Sequence, residues 1–230
     1  DIGRGSQQER RKGADAYMAE KQDFARSGPV HFQSLESELM PVARYFGGAM
    51  LNAGCGNRDL VAWLAQHGVS ATTNYDIASD LPGAIIGSLD ALPFADAAFD
   101  TILCNAVLEH VEHPEAVVAE LARVLRPGGH VILAVPFLQP YHECPRDFRR
   151  YSSEGLVALG EAAGLSVVTI NPVHSAAQTL GWIAWEIAKE RGRLARAITW
   201  PIVYVWTRFS TQTDPRLRRN ANTFQIVFAK

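Results

Sequence analysis

Cysteine is scarce, with Cys55, Cys104 and Cys144 alone in 230 residues. They are far apart, odd in number and include no CxxC pair. That excludes a disulfide framework and a zinc knuckle and points to a reduced, cytosolic compartment. Charge of one sign is lacking as well. The 22 Lys and Arg face 24 Asp and Glu, leaving a net charge of −2 and no chain-wide field for nucleic acid. The polar opening DIGRGSQQERRKGADAY has no apolar segment of the signal-peptide kind. Residues 162–185 carry no Asp, Glu, Lys or Arg, but Asn171, Pro172, His174 and Gln178 interrupt them, so a strand and then a helix are expected instead of a span. What remains is an ordinary globular composition, 47% hydrophobic and 20% charged, enough for one generous domain with a real core.

Short apolar runs alternate with helical stretches. The helices are expected at 7–27, at Ser34–Phe46 ended by Gly47-Gly48, at Leu60–Gln66, at Pro114–Leu125 and at Ser152–Ala163. The strands are expected at 49–54, 70–76, 83–89, 98–105, 130–135, 165–170 and 223–229, with Arg126-Pro-Gly-Gly turning into the fifth. Such alternation means βαβ units and a doubly wound, mostly parallel α/β sheet. Ligands of these sheets bind beyond the carboxyl ends of the strands, which directs attention to the loops at 53–58, 76–80, 89–92, 105–110 and 136–151.

The first of these loops reads Asn52-Ala53-Gly54-Cys55-Gly56-Asn57. Gly54 permits a tight turn, and Gly56 lets a ligand approach the backbone. A lone GxG also occurs for packing alone. Asp76 ends the second strand, where a carboxylate can hold a ribose diol, although a helix cap or Asx-turn is the plainer use. Asp90-Ala91-Leu92-Pro93-Phe94 then offers a carboxylate, an amide and an apolar wall suited to adenine, or a simple turn before Phe99.

With LNAGCGN at 51–57, NYDIA at 74–78, LDALPFADAAFDTILCNAVLEHV at 89–111 and ELARVLRPGGHVILAVPF at 120–137, in that order, the chain resembles the class I S-adenosylmethionine-dependent methyltransferases of the broad methyltransferase-11 type. The resemblance implies a Rossmann-like sheet of seven strands with the last antiparallel. Gly54 and Gly56 would line the methionine and ribose part of S-adenosylmethionine, Asp76 would hold the ribose hydroxyls, Asp90 and Ala91 the adenine, and Asn105 the rim. Asn52, Ala53, Ile77 and Leu92 complete the expected cofactor set. Asn52 stands where the family usually has an acid, and Arg58 where it has a third glycine or small residue. Arg58 is then expected to cap the pocket or meet the cofactor carboxylate. An NAD-type Rossmann protein, the rival, wants a cleaner GxGxxG.

For the chemistry, His110 in Leu108-Glu109-His110-Val111 reads first as a structural hydrogen-bonder and second as a base. Residues 136–151 gather Tyr141, His142, Glu143, Arg146, Asp147, Arg149, Arg150 and Tyr151 in a proline-stiffened loop. Its PF…P.H..P.DF.RYS pattern resembles methyltransferases encoded beside glycan-assembly enzymes. That implies a sugar or glycolipid hydroxyl as acceptor, His142 as base, Asp147 as its orienter, and Tyr141, Arg150 and Tyr151 as acceptor contacts. The alternative is that Asp147 pairs with an arginine and the loop merely covers the cofactor. His142, Glu143 and Asp147 have no regular ligand spacing, and no metal is expected there. An N- or C-methyltransferase of a small metabolite, or an inert cofactor-binding partner subunit, stays open.

Four of the five tryptophans, Trp182, Trp185, Trp200 and Trp206, fall in 174–220 with eight Lys and Arg against three acids. A helix through Trp182, Trp185 and Lys189, a break at Arg191-Gly192-Arg193 and a second helix with Pro201 are expected. This segment reads as a lid, a homodimer contact or a peripheral surface on anionic membrane, with core packing of the hairpin accounting for some of the tryptophans. The division is thus 1–46 as a helical cap, 47–171 as cofactor-binding core, 172–220 as insertion and 221–230 as last strand, all in one domain.

Overall fold

The computed structural model describes residues 28–142, 146–210 and 220–230. The helix expected over 7–27, the loop residues Glu143 to Pro145, and Asp214, Arg216, Arg218 and Arg219 lie outside them. Seven strands form one sheet: β1 (Gly48–Ala53), β2 (Val69–Asp76), β3 (Ile85–Ile86), β4 (Phe99–Asn105), β5 (Leu125–Pro136), β6 (Ser166–Val173) and β7 (Thr223–Ala229). Their order is β3-β2-β1-β4-β5-β7-β6. The pairs from β3 to β5 are parallel, and β7 runs antiparallel to both neighbours.

The central strands are apolar on both sides because both faces are covered. Met50, Leu103, Ile132 and Val227 pack on one face with Leu39 and Leu64, from α1 (Leu35–Leu39) and α2 (Val61–Gln66). Their sequence neighbours Leu51, Cys104, Val131, Leu133, Ile226 and Phe228 pack on the other. There they meet Val117, Val118 and Leu121 of α3 (Pro114–Val124) and Leu156 of α4 (Ser153–Ala162). A one-residue slip in any of these strands would exchange the two faces, so the register is firmly set.

Three expected elements differ. The helix over Ser34–Phe46 ends as α at Leu39 and continues as a 3₁₀ turn over Met40–Tyr45, since Pro41 has no N–H for the α ladder. The strand at 83–89 shrinks to Ile85–Ile86 at the sheet edge, pairing only with β2. The turn at 126–129 is absorbed into β5, with a register irregularity opposite Phe99–Thr101.

Between β6 and β7 stand α5 (Ala176–Glu190) and α6 (Arg193–Phe209), an antiparallel hairpin broken at Gly192. A Cβ on Gly181 would lie 2.7 Å from Thr207 Cγ2 and 3.2 Å from Val203 Cγ1, so the helices touch closely there. The hairpin is tied to the N-terminal segment. Gln178 Nε2 donates to His31 O at 2.9 Å, His31 N donates to Thr207 Oγ1 at 2.9 Å, and His174 Nε2 sits 3.0 Å from Glu38 Oε1.

Candidate active site

The sheet order reverses between β1 and β4, and the loops leaving these two strands open the crevice expected of a switch point. At the end of β1 the chain turns through Gly54 (φ +76°) and Gly56 (φ +54°), left-handed conformations that favour glycine. A Cβ on Gly54 would collide with Val107 Cγ2, which leans in from the end of β4. Asp76, at the end of β2 and buried, closes the turn: its Oδ2 accepts from Gly56 N at 2.7 Å and its Oδ1 from Ala78 N at 2.9 Å. Backbone bare of side chains, a strand-end carboxylate beside it and exposed Ile77, Asp90 and Ala91 beyond fit an adenosyl group with its amino-acid tail.

Several expected cofactor residues take other roles. Asn52 is buried and donates from Nδ2 to Asn74 Oδ1 at 2.9 Å, its cross-strand neighbour. Leu92 packs in the core, and its N–H donates to Glu120 Oε2 at 2.8 Å, which ties the 90–94 loop to α3. Arg123, which the sequence reading passed over, completes that device. It bonds both oxygens of Glu120 and the carbonyls of Leu92 (3.1 Å) and Phe94 (2.9 Å). Its Glu–x–x–Arg spacing within one helix was the available signal. Ala53 is buried at the end of β1, Asn105 is half-buried at the end of β4, and Arg58 is exposed. Cys55 and Cys104 are buried, and burial pushes both thiols up, which keeps them protonated and inert.

Just beyond Val107, Leu108–His110 forms a 3₁₀ turn that carries Glu109 and His110 towards the 136–151 loop. His110 Nδ1 lies 2.6 Å from Arg146 O; a carbonyl only accepts, so Nδ1 carries the proton. His142 Nδ1 lies 3.0 Å from Pro140 O and 3.2 Å from Arg150 Nη2, which only donates. The two rings meet edge-on with centroids 5.3 Å apart. Glu109 is 1% exposed, with Oε1 3.7 Å from His110 Nε2.

Asp147 is also 1% exposed and turns into the loop. It accepts His142 N–H at 2.7 Å and both terminal nitrogens of Arg150. Burial pushes its carboxyl up, but Arg150 and the His142 N–H outweigh it and hold the group below the usual carboxylate range. Asp147 therefore orients His142 through the backbone. Arg150 also donates to Gln139 O and Pro140 O, and buried Tyr151 donates from its hydroxyl to Leu108 O at 3.2 Å. These contacts of Arg150 and Tyr151, both expected at the acceptor, hold the loop together. Tyr141 is 67% exposed.

Trp182 is buried against this loop, 5.7 Å from the His142 ring and 5.8 Å from Phe32, so the hairpin forms one wall of the site. Trp185, Lys189, Arg193, Arg196 and Trp200 line a cationic, aromatic cleft between its helices. The side of α6 away from Val203 is apolar yet exposed: Leu194, Ile198, Ile202, Val205 and Phe209. Among the described residues no helix is long and apolar enough to cross a membrane.

Comparison with known proteins agrees with this geometry. A family model described as a methyltransferase domain matches residues 51–133. A probable S-adenosylmethionine-dependent methyltransferase of Mycolicibacterium smegmatis is 30% identical over 182 residues, 69% of this chain and 66% of that protein. A malonyl-[acyl-carrier protein] O-methyltransferase of Erwinia billingiae is 31% identical over 111 residues, 42% of each. These matches span less than two thirds of the relatives' own length. In fold, the chain is similar to the [4+2]-cyclase SpnF (TM-score 0.64, 18% identity, 100% of this chain and 97% of that one). It is also similar to the 1,6-didemethyltoxoflavin-N1-methyltransferase of Burkholderia thailandensis, solved with S-adenosylhomocysteine (TM-score 0.59, 15% identity, 100% and 92%). Glycine turn, Asp76 and strand order together place the chain among the class I S-adenosylmethionine-dependent methyltransferases.

Proposed function

We propose that the protein transfers a methyl group from S-adenosylmethionine to a hydroxyl of a sugar, glycolipid or other small molecule. One observation carries the reading. Val107 packs on the glycine turn, and the next three residues bring Glu109 and His110 to His142, so donor turn and imidazole pair lie at the same edge of the sheet, beyond the carboxyl ends of β1, β4 and β5. Gly54, Gly56 and Asp76 hold the donor, which supplies an already activated methyl group. The chain's own work is then to place the acceptor in line and to deal with its proton. An aliphatic hydroxyl needs that help, whereas an amine has only to be neutral, and the imidazole pair supports a hydroxyl. His142 is the residue at the acceptor. Its ring is positioned by Pro140 O and Arg150 Nη2, both beside Nδ1.

His142→Ala is expected to leave S-adenosylhomocysteine binding within a few-fold and to lower turnover ~100-fold or more, in the range of lost acid–base catalysis. Calorimetry reads the first and transfer of labelled methyl to a glycan or metabolite extract reads the second. Unchanged turnover would remove His142 from the reaction, and bound donor with no labelled product would remove methyl transfer itself.

The partner of the hairpin, on this reading, is an anionic membrane surface bearing the acceptor. Exposed apolar residues on α6 beside Lys189, Arg193 and Arg196 support it. Each Lys or Arg near such a surface adds about 1 kcal/mol. Arg193→Ala with Arg196→Ala should thus lower binding to phosphatidylglycerol vesicles ~30-fold. Equal sedimentation with zwitterionic vesicles would exclude the membrane, and concentration-dependent dimerisation without lipid binding would assign the face to a second copy.

A further inference from the structure

We propose that the cleft between α5 and α6 binds the diphosphate group of a phosphorylated acceptor. The cleft measures about 480 Å³, within the ~300–1,000 Å³ of small-molecule sites. Helical spacing builds it. On α5, Trp185 and Lys189 stand four residues apart. On α6, Arg193, Arg196 and Trp200 follow one another at three and four, so each set shares one helix face, and both faces line the same cleft.

Charge selects the ligand. Lys189 is answered by Glu186, whose Oε2 lies 2.7 Å from its Nζ. Among the described residues neither Arg193 nor Arg196 has an acidic partner, which leaves two guanidiniums uncompensated in the cleft. A guanidinium is a planar fork that fits phosphate oxygens in pairs, and it is more weakly hydrated than an ammonium. The two are three residues apart on one helix, ~4.5 Å along its axis, a span that suits linked phosphates. The tryptophans add a second requirement. Trp200 is 45% exposed, and Tyr204 stacks on it with 8° between the planes and 5.3 Å between centroids, backing one face of the indole. Indoles beside cations suit a ligand that is anionic at one point and flat or apolar next to it.

The cleft also continues the wall of the site. Trp182 packs against the His142 ring, and Trp185 and Lys189 follow it on the same face of α5, ~4.5 and ~10.5 Å further along the axis. Glu186 joins the two regions, accepting from Trp182 Nε1 at 3.1 Å and pairing with Lys189. A short saccharide carried on a diphosphate spans that interval, with its phosphates on the arginines and a hydroxyl at His142. Resting on the hydroxyl-methylation reading, the acceptor is then a diphosphate-linked sugar. Its carrier is a nucleoside stacked on the tryptophans or a lipid chain lying on the apolar ridge of α6.

The test uses the full chain in calorimetry with inorganic pyrophosphate, uridine diphosphate and farnesyl diphosphate as probes. One saturable equivalent of pyrophosphate is expected, weakening as salt rises. Arg193→Ala and Arg196→Ala should each weaken it ~10-fold or more, the range for losing a hydrogen bond between charged groups, with S-adenosylhomocysteine bound as by the parent. Arg193→Lys keeps the charge without the fork and should recover only part of the loss. Uridine diphosphate that binds more tightly than pyrophosphate, by a margin that Trp200→Leu removes, makes the carrier a nucleoside. The same gain for farnesyl diphosphate makes it a lipid. Pyrophosphate binding that neither carrier improves overturns the acceptor role of the cleft. No saturable binding of any probe, or binding that both alanine variants leave intact, overturns the site, and arginine variants that lose only phosphatidylglycerol vesicles assign the pair to the membrane. Pyrophosphate bound by a protein that methylates no hydroxyl keeps the site and defeats the methylation reading. Methyl transfer to phosphate-free hydroxyls, equally fast in both alanine variants, does the reverse.

Discussion

Gly54→Ala is expected to abolish useful cofactor binding and to lower the melting temperature by ~5–15 °C. Two costs add. A left-handed conformation costs a non-glycine residue about 1–2 kcal/mol, and the φ here is +76°. The new methyl also collides with Val107 Cγ2 and stands 3.1 Å from its Cγ1; a β-branched side chain on a buried turn has no flexible end to swing aside. Overpacking of this kind costs about 1–3 kcal/mol. Each kcal/mol moves the melting point of a chain this size by ~2–4 °C. The functional loss is larger than the stability loss, because relief comes only by moving the turn or Val107, and both border the donor. We expect S-adenosylhomocysteine affinity to fall ~100-fold or more, since shifts of about an ångström have such effects. Calorimetry and thermal unfolding read the two separately. A Gly54→Ala protein that binds S-adenosylhomocysteine as the parent does would remove this turn from the donor site. Asp76→Ala offers a contrast: it leaves Gly54 and Gly56 in place but strips the acceptor from Gly56 N and Ala78 N.

The donor half of the site is legible in sequence because its causes are local. Gly54 and Gly56 answer to a backbone requirement, and Asp76 to its place at a strand end. The acceptor half is written in distant pairs. Glu109 acquires its meaning from His142, which the fold and not the spacing brings near. Arg123 and Glu120 are three residues apart in one helix, and their role appears only when the 92–94 backbone settles on them. Arg150 and Tyr151 sit in a polar, proline-rich stretch that reads as an acceptor surface, and the chain turns them inward to hold Gln139, Pro140 and Leu108. The crowd of tryptophans likewise divides only in three dimensions. Trp182 closes on His142, while Trp185 and Trp200 face each other's helix across a cationic cleft.

Asp147→Ala tests whether that loop framework serves the chemistry. Its carboxylate holds His142 N–H and Arg150 together, and it does so almost without solvent. Removing it leaves Arg150 bonded to Gln139 O and Pro140 O but with its charge unanswered, and leaves the His142 N–H without its acceptor. An unsatisfied buried donor costs about 1–3 kcal/mol, and the loop, not the sheet, absorbs it. Turnover should therefore fall ~100-fold or more as the His142 ring drifts from its place, while the donor site, built on β1 and β2, keeps its affinity within a few-fold. Asp147→Asn separates position from charge. Its side-chain oxygen can still accept from His142 N–H, so it should recover part of the turnover, whereas a role in fixing the charge of Arg150 alone would leave it no better than alanine. If Asp147→Ala turns over normally, the 136–151 loop is a cover for the cofactor, and the acceptor must be sought against Tyr141 and the hairpin instead.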